Sequence, residues 1–195
     1  MIKTILFDYA GVLTPTQNNY SFAAKNSKRF SMSPEAIMKI TYDGWADAAV
    51  GKTKSKDFLD SVASKLNVTS DELLSLLIDS FPIDPRMIDL IKEAKKKYNT
   101  VLFSNQIEDW LGKVIDNNGF RDIFTYFVNS YTVGAGKHDK KIFLEALRIT
   151  DSKPEETLFI DDSQENVDAA KKLGINSILF TDFNQFLEEY KKYIQ

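Results

Sequence analysis

Short apolar segments that alternate with helical patterns constrain the fold of this chain most strongly. Residues 2–7 are apolar and rich in β-branched side chains, and Asp8 and Gly11 then break the segment. Segments of the same form recur at 100–103, 157–160 and 177–180, with a weaker one at 124–128. Apolar strands without polar alternation are typical of parallel sheets that are covered on both faces. The chain therefore predicts a buried parallel sheet.

Helical patterns separate these predicted strands. Residues 85–98 carry apolar side chains at helical spacing and end in lysines, which the partial negative charge of a helix C-terminus favours. Similar patterns cover 140–148 and 166–173, and Gly174 is placed to end the second of these. Alternating strands and helices indicate an α/β fold, which we expect to be a doubly wound, Rossmann-like parallel sheet.

The stretch 15–81 interrupts this alternation. It contains no convincing strand, and helical patterns run over 20–30, 34–50, 55–66 and 70–79. Ser33-Pro34 and Ser70 are typical of helix starts. We therefore expect an α/β core formed by residues 1–14 and 82–195, with a small four-helix cap, residues 15–81, inserted after the first strand. Pro15 and Phe81 mark the expected hinges.

Composition excludes several classes of site and partner. The 195 residues include no cysteine, so disulfides, zinc–thiolate sites and cysteine nucleophiles are excluded. The net charge of -3 and the pI of about 5.3 argue against nucleic acid as a partner. No apolar run approaches the roughly 20 residues of a membrane helix, and the first residues do not resemble a signal peptide. The sequence predicts a cytoplasmic monomer or homodimer.

Polar side chains follow the predicted strands. They are Asp8, Ser104, Asn105, Lys137, Asp161 and Asp162. In an open parallel sheet, ligands bind beyond the carboxyl ends of the strands, so we expect these groups to meet at one edge. Three carboxylates repel one another unless a cation lies among them, and hard oxygen ligands suit Mg²⁺. Lysine, serine and asparagine suit phosphate oxygens, and a carboxylate beside a bound phosphate can act as a nucleophile.

Four motifs in order resemble those of the haloacid dehalogenase-like (HAD) hydrolase superfamily. The first is FDYAGVLT at 7–14 and the second is LFSN at 102–105. The third is GAGK at 134–137 followed by KIF at 141–143, and the fourth is LFIDD at 158–162 with Asn166 and Gly174 beyond it. Each motif is weak alone, but the four together span the whole chain, and the helical insertion is similar to the helical cap of the family's phosphatases.

The resemblance implies a Mg²⁺-dependent phosphatase that acts on a small phosphorylated metabolite. Asp8 would be the nucleophile that forms an aspartyl-phosphate, and Lys137 would neutralise Asp8 and the phosphate. The metal ligands would be Asp8, the backbone carbonyl of Ala10, Asp161 and Asp162. The phosphoryl group would be bound by Ser104, Asn105 and Lys137.

Ala10 departs from the family pattern. Phosphatases of the family usually have a second aspartate at this position, which protonates the leaving alkoxide. The resemblance then leaves three outcomes: the substrate has a leaving group that needs no proton, or Asp43 or Asp47 of the cap supplies the acid, or the chain is a weakly active or non-catalytic homologue that binds a phosphorylated ligand. General acid–base catalysis contributes about 10²–10⁴-fold in rate, so the difference matters.

Two branches of the family also lack this aspartate. Haloacid dehalogenases carry serine and asparagine where this chain has Asp161 and Asp162, so the acidic pair argues against that branch. Phosphonoacetaldehyde hydrolases have alanine at the position of Ala10 and cleave a carbon–phosphorus bond through a cap lysine, for which the candidates here are Lys39, Lys52 and Lys54.

Simpler interpretations accompany several of these residues. Asp8 can cap a turn, and Asp161-Asp162-Ser163 can cap the following helix. His138 stands where the third motif usually has proline, and we expect it to be a solvated loop residue. The two tryptophans, Trp45 and Trp110, are expected to pack in the core or at the cap interface.

Overall fold

A computed structural model describes residues 1–194. Its central element is a single sheet of five parallel strands in the order β3-β2-β1-β4-β5. The strands are β1 (Thr4–Phe7), β2 (Asn99–Ser104), β3 (Tyr126–Asn129), β4 (Thr157–Asp161) and β5 (Asn176–Leu179). All five predicted strands are present, so the predicted α/β parallel-sheet fold is confirmed.

Helices follow the strands in sequence. Between β1 and β2 lie α1 (Tyr20–Phe30), α2 (Pro34–Tyr42), α3 (Trp45–Ala49), α4 (Ser55–Leu66), α5 (Ser70–Ile78) and α6 (Pro85–Lys95). Between β2 and β4 lie α7 (Glu108–Asn117), α8 (Phe120–Ile123), α9 (Ser130–Val133) and α10 (Lys140–Thr150). The last two are α11 (Gln164–Lys172) and α12 (Phe183–Tyr190).

Strand order and register determine where the loops meet. β1 lies at the centre, with Phe7 opposite Leu102 of β2 on one side and Ile160 of β4 on the other. The chain builds β2 and β3 on one side of β1, and then returns to build β4 and β5 on the other side. This change of direction is the switch point at which open α/β sheets bind their ligands.

The two faces of the sheet bury alternate residues of each strand. On β1, Ile5 and Phe7 enter one apolar cluster, whereas Leu6 enters the other. β2 and β4 follow the same rule, because successive side chains of a strand point to opposite faces. This explains the absence of polar alternation in the sequence: both faces are covered, so both sets of side chains are apolar.

The insertion between β1 and α6 consists of five helices rather than the predicted four. The expected helix over 34–50 is divided because Gly44 adopts a left-handed conformation with φ of 80°, which ends α2 and begins α3 in a new direction. The start of α2 was predicted correctly, since Ser33 accepts a hydrogen bond from the Ala36 N–H. Helix α5 also begins at Ser70 as predicted, and Thr69 caps it by accepting a hydrogen bond from the Glu72 N–H.

The insertion shares an apolar cluster with one face of the sheet. Phe22, Ile37, Phe58 and Leu73 of its helices belong to the same cluster as Phe7 of β1. The division into a core and a separate cap domain therefore stays a prediction. Among the described residues, no helix combines the length and the apolar character needed to span a membrane.

Candidate active site

The predicted strand ends meet at one edge of the sheet. Asp8 directly follows β1, Ser104 is the last residue of β2, and Asp161 is the last residue of β4. Asp8 is positioned from both sides, because its N–H donates to the Ile160 carbonyl at 3.0 Å while its Oδ1 accepts from the Tyr9 N–H at 2.6 Å. The structure thus brings together groups that are more than 150 residues apart in the sequence.

Lys137 occupies the middle of this edge. Its Nζ lies 2.5 Å from Asp8 Oδ1 and 2.7 Å from Asp161 Oδ2. The residue is 1% exposed, and its ammonium group lies 5.6 Å from the ring centroids of Phe103 and Phe159. A cation that is buried against two aromatic rings and two carboxylates is held in one position.

Burial and neighbouring charges act in opposite directions on this cluster. The pKa of Asp8 is raised well above its usual value, because burial disfavours the carboxylate more than Lys137 favours it, and Asp161 adds repulsion. Burial lowers the pKa of Lys137, but the two carboxylates raise it by more, so its net shift is upward. Lys137 is therefore a permanent cation at neutral pH.

Two aspartates complete the acidic cluster. Asp161 Oδ1 accepts from the Ser163 N–H and from the Asn166 side-chain amide, both at 2.9 Å. Asp162 is half-buried, and burial, followed by repulsion from Asp161, raises its pKa to about 6. One carboxylate oxygen from each of Asp8, Asp161 and Asp162 lies within 4.8 Å of the others.

The acidic cluster has the donor set and the charge of a cation site. Three carboxylates against one ammonium group leave an excess of two negative charges when all are ionised. One divalent cation would balance this excess, and an oxygen-only donor set suits a hard cation. Gly11 makes room for the cluster, because a Cβ at this position would lie 2.2 Å from Asp162 Oδ2.

Hydrogen-bond donors lie beside the carboxylates. Asn105 Oδ1 accepts from the Lys137 N–H at 3.1 Å, which fixes the amide and leaves its NH₂ group available. Ser104 is 2% exposed, and within residues 1–194 its hydroxyl has no hydrogen-bond partner. The hydroxyl and the amide NH₂ group can both donate hydrogen bonds, so this pair is suited to an anionic ligand.

Comparison with known proteins decides the family. The model of the haloacid dehalogenase-like hydrolase family matches residues 2–174. The chain is a haloacid dehalogenase-like hydrolase. A curated relative, D-ribitol-5-phosphate phosphatase of Bacteroides thetaiotaomicron, is 25% identical over 187 residues, which cover 91% of each chain.

Solved structures agree with this placement of the HAD hydrolase. A HAD family enzyme from Bacteroides thetaiotaomicron superposes with a TM-score of 0.76 at 26% identity and covers 91% of this chain and 92% of its own. A structure from the same organism, a complex with magnesium and inorganic phosphate, has a TM-score of 0.73 at 23% identity, with 91% and 93% coverage. The family and the phosphatase-like hydrolase class, both expected from the four motifs, are thus confirmed.

The structure does not bring the proposed substitute acids of this HAD hydrolase into the cluster. Asp43 is exposed and paired with Lys65 at 2.6 Å, and the hydrogen bond from this lysine lowers the pKa of Asp43. Asp47 is also exposed, with Lys52 at 3.4 Å. A carboxyl group with a lowered pKa is a poor proton donor near neutral pH, so Asp43 does not fit the role of acid.

Other predicted residues lie at the surface. Lys39, Lys52 and Lys54 are exposed, whereas a lysine that forms a Schiff base is usually activated by desolvation. His138 is exposed, as expected for a solvated loop residue. Ala10 is half-buried in the turn between Asp8 and Gly11, so its carbonyl remains a predicted metal ligand.

The tryptophans pack as predicted, at the junction between the insertion and the sheet. The rings of Trp45 and Trp110 are 6.1 Å apart, and Phe81 lies 5.3 Å from Trp110. Tyr9 stacks on Phe81, and burial raises the pKa of its hydroxyl to about 12. The Trp110 indole lies close enough to lower this pKa, but the contact falls outside hydrogen-bond geometry, so among the described residues neither the Tyr9 hydroxyl nor the Trp110 N–H has a hydrogen-bond partner.

Sequence reasoning missed several residues that shape the site. Gly11 lies within the first motif, but its contact with Asp162 is visible only after folding. Gln106, the chain neighbour of Asn105, is 5% exposed. Its N–H donates to the hydroxyl of Ser130, which is fully buried. No local pattern marks Gln106 or Ser130, because their neighbours come from distant parts of the chain.

Proposed function

We propose that this HAD hydrolase is a Mg²⁺-dependent phosphatase that acts on a small phosphorylated metabolite. The observation that supports this most strongly is the position of Asp8: it is buried, it is paired with Lys137, and it belongs to a three-carboxylate cluster with two negative charges in excess. A relative bears the name of a sugar-alcohol phosphate phosphatase, and a similar structure contains magnesium and phosphate.

Asp8 would act as the nucleophile. One of its carboxylate oxygens attacks phosphorus, the bond from phosphorus to the substrate oxygen breaks, and that oxygen leaves with the electron pair. Water then attacks the phosphorus of the aspartyl-phosphate and releases Asp8 and inorganic phosphate. Lys137 lies 2.5 Å from Asp8, so it favours the carboxylate form that the attack requires.

The remaining groups would hold the phosphoryl group and the cation. Within residues 1–194, the Ser104 hydroxyl and the Asn105 NH₂ group have no hydrogen-bond partners, so they can donate to the phosphoryl oxygens. Asp8, Asp161, Asp162 and the Ala10 carbonyl would bind Mg²⁺, which screens the negative charge of phosphate when it is bound.

Ala10 limits the choice of substrate. An alkoxide leaving group needs a proton, and the position that usually supplies it carries a methyl group here. We therefore expect aryl and acyl phosphates, whose leaving groups are weaker bases, to be hydrolysed faster than alkyl phosphates. Ala10→Asp should raise turnover of alkyl phosphates by up to about 10²–10⁴-fold. If turnover of alkyl phosphates stays unchanged, the missing acid is not the limiting factor.

The test of the nucleophile compares wild type with Asp8→Asn. Hydrolysis of an aryl phosphate is measured with Mg²⁺ and again with a chelator. Asp168→Asn, an exposed aspartate of α11, is the matched control and should behave as wild type. Equal turnover by the wild type and Asp8→Asn would remove Asp8 from its proposed role.

Ala10 also favours a second candidate, a non-catalytic protein that binds a phosphorylated ligand in the same pocket. It predicts saturable binding of a sugar phosphate in the presence of Mg²⁺ with no release of inorganic phosphate over a day. Brisk hydrolysis of that ligand would exclude this candidate. The carbon–phosphorus cleavage expected from one branch of the family is tested by borohydride trapping with phosphonoacetaldehyde, and an unlabelled protein would exclude it.

A further inference from the structure

The hydroxyl of Ser130 joins two parts of the chain that lie on either side of the site. Ser130 is 0% exposed and follows β3 directly. Its Oγ donates to the Ala49 carbonyl at the end of α3 in the insertion, at 2.5 Å. The same Oγ accepts from the Gln106 N–H at 3.1 Å, in the loop that carries Asn105. One buried hydroxyl therefore connects the insertion to the loop after β2.

The backbone of Ser130 also positions the loop that carries Lys137. Its carbonyl accepts from the Gly134 N–H at 2.9 Å and from the Ala135 N–H at 3.2 Å. Lys137 then donates its own N–H to Asn105 Oδ1. The hydrogen bonds thus form a closed circuit, in which Ser130 is linked both to the loop of Asn105 and to the loop of Lys137.

The insertion meets this circuit at close range. Gly51 has a φ of 73°, and a Cβ there would lie 2.8 Å from the Tyr131 carbonyl oxygen. A second hydrogen bond joins the insertion to α7, in which Ser55 Oγ of α4 accepts from the Asp109 N–H at 3.2 Å. Helix α7 has no side-chain cap from its own N-cap residue Ile107, so the insertion satisfies one of its free N–H groups.

We propose that Ser130 is a positioning residue that makes the alignment of Asn105 and Lys137 depend on docking of the insertion. Loss of the Ala49 bond leaves the hydroxyl free to rotate away from Gln106, and the loops of Asn105 and Lys137 then lose their common support. The catalytic arm of this inference rests on the proposed phosphatase function. The packing of the insertion against the sheet does not depend on that function, and it has its own spectroscopic signal.

The two tryptophans report docking directly. Trp45 belongs to α3 of the insertion, Trp110 belongs to α7 beside the sheet, and they are the only tryptophans of the chain. Their ring centroids are 6.1 Å apart with an interplanar angle of 75°. Indoles at this distance couple their electronic transitions, so the docked protein should show a far-ultraviolet circular dichroism couplet. Trp45→Phe abolishes the couplet and serves as its reference.

The experiment perturbs the junction from each side. Ser130→Ala removes the hydroxyl from the sheet side, whereas Gly51→Ala pushes the turn of the insertion away from Tyr131 and leaves Ser130 intact. Ser177→Ala is the matched control, since Ser177 is also buried, but among the described residues its hydroxyl bonds only to the Ile175 carbonyl of its own segment. The couplet and the steady-state hydrolysis of an aryl phosphate with Mg²⁺ are measured for each protein.

We expect both junction variants to weaken the couplet and to lower kcat by roughly 10–100-fold, because misplacement of about 1 Å costs this much. KM should rise by no more than about tenfold, and the control should match wild type. Loss of the couplet with full kcat would overturn the inference. A second contrary result concerns the two variants together. Ser130→Ala would have a lower kcat, whereas Gly51→Ala would lose the couplet and stay fully active.

If the wild type hydrolyses no phosphate ester, the proposed phosphatase function fails, but this inference can still be tested. The alignment of Asn105 and Lys137 is then measured by the binding of inorganic phosphate in the presence of Mg²⁺. A loss of about tenfold in phosphate affinity in both junction variants supports the positioning role. Unchanged affinity, or no measurable phosphate binding by the wild type, overturns it.

Discussion

Replacement of Lys137 by methionine tests the electrostatic description of the site most directly. Methionine keeps most of the buried stem but removes the ammonium group that lies 2.5 Å from Asp8 and 2.7 Å from Asp161. The three side chains are 2%, 11% and 0% exposed, so water cannot replace the lost cation. Removal of one partner from a buried ion pair costs about 3–5 kcal/mol.

This cost translates into a measurable shift in urea. With a slope of about 2–3 kcal/mol/M for a chain of this size, the unfolding midpoint of Lys137→Met should fall by roughly 1–2.5 M at pH 8 without metal. Lys140→Met is the matched control, because Lys140 is exposed at the start of α10, and its free energy of unfolding should stay within about 0.5 kcal/mol of the wild-type value.

The stability loss in Lys137→Met should depend on pH, in a direction set by the pKa of Asp8. Lys137 holds the pKa of Asp8 down against burial, so its loss raises that pKa further. The folded variant then binds more protons than its unfolded chain above pH 4, and its stability falls as the pH rises. The difference from wild type should therefore be larger at pH 8 than at pH 5, and Mg²⁺ should reduce it. A variant that unfolds at the wild-type midpoint at pH 8 would refute this reasoning.

Three further substitutions or conditions have defined outcomes. Tyr9→Phe removes a buried hydroxyl that has no hydrogen-bond partner in the described part of the chain, so it should raise the free energy of unfolding by about 1 kcal/mol. Urea titration measures this, and a loss of stability would mean that the hydroxyl is hydrogen-bonded. Gly11→Ala places a Cβ against Asp162 at positive φ, so it should lower the free energy of unfolding by about 1–2 kcal/mol and weaken Mg²⁺ binding measured by calorimetry. Gly112→Ala is the control, because a Cβ there meets nothing within 4 Å, and it should have neither effect. Mg²⁺ affinity should fall as the pH drops through about 6, because protons compete for Asp162; Asp162→Asn should flatten this dependence, and an equally steep profile would exclude Asp162 as its source.

Much of the fold was predictable because each strand carries its own signal. Both faces of the sheet are covered, so β1 and β4 read as continuous apolar segments, and each ends at an aspartate. The strand-end rule then placed Asp8 and Asp161 at the same edge before any contact was known. Such predictions depend on local pattern and on one rule about topology.

The features that sequence did not predict depend on distant contacts. The break between α2 and α3 rests on Gly44, which a helical pattern tolerates in sequence. Ser130 resembles any loop serine, and only its contacts with Ala49 and Gln106 distinguish it. The predicted acids Asp43 and Asp47 lie at the surface with lysine partners, because the position of a side chain on an amphipathic helix does not determine what lies beneath the helix.

The central position of β1 has a consequence for biosynthesis. Thr4 pairs with Asn99 on one side and Thr157 on the other, so β1 leaves the ribosome well before its second partner strand, β4. Long-range pairings of this kind slow folding, and until β4 emerges the apolar residues of β1 lack a neighbour along one edge. Nascent chains that stop short of β4 should therefore depend on chaperones, and Asp8 cannot acquire its surroundings before β4 has been synthesised.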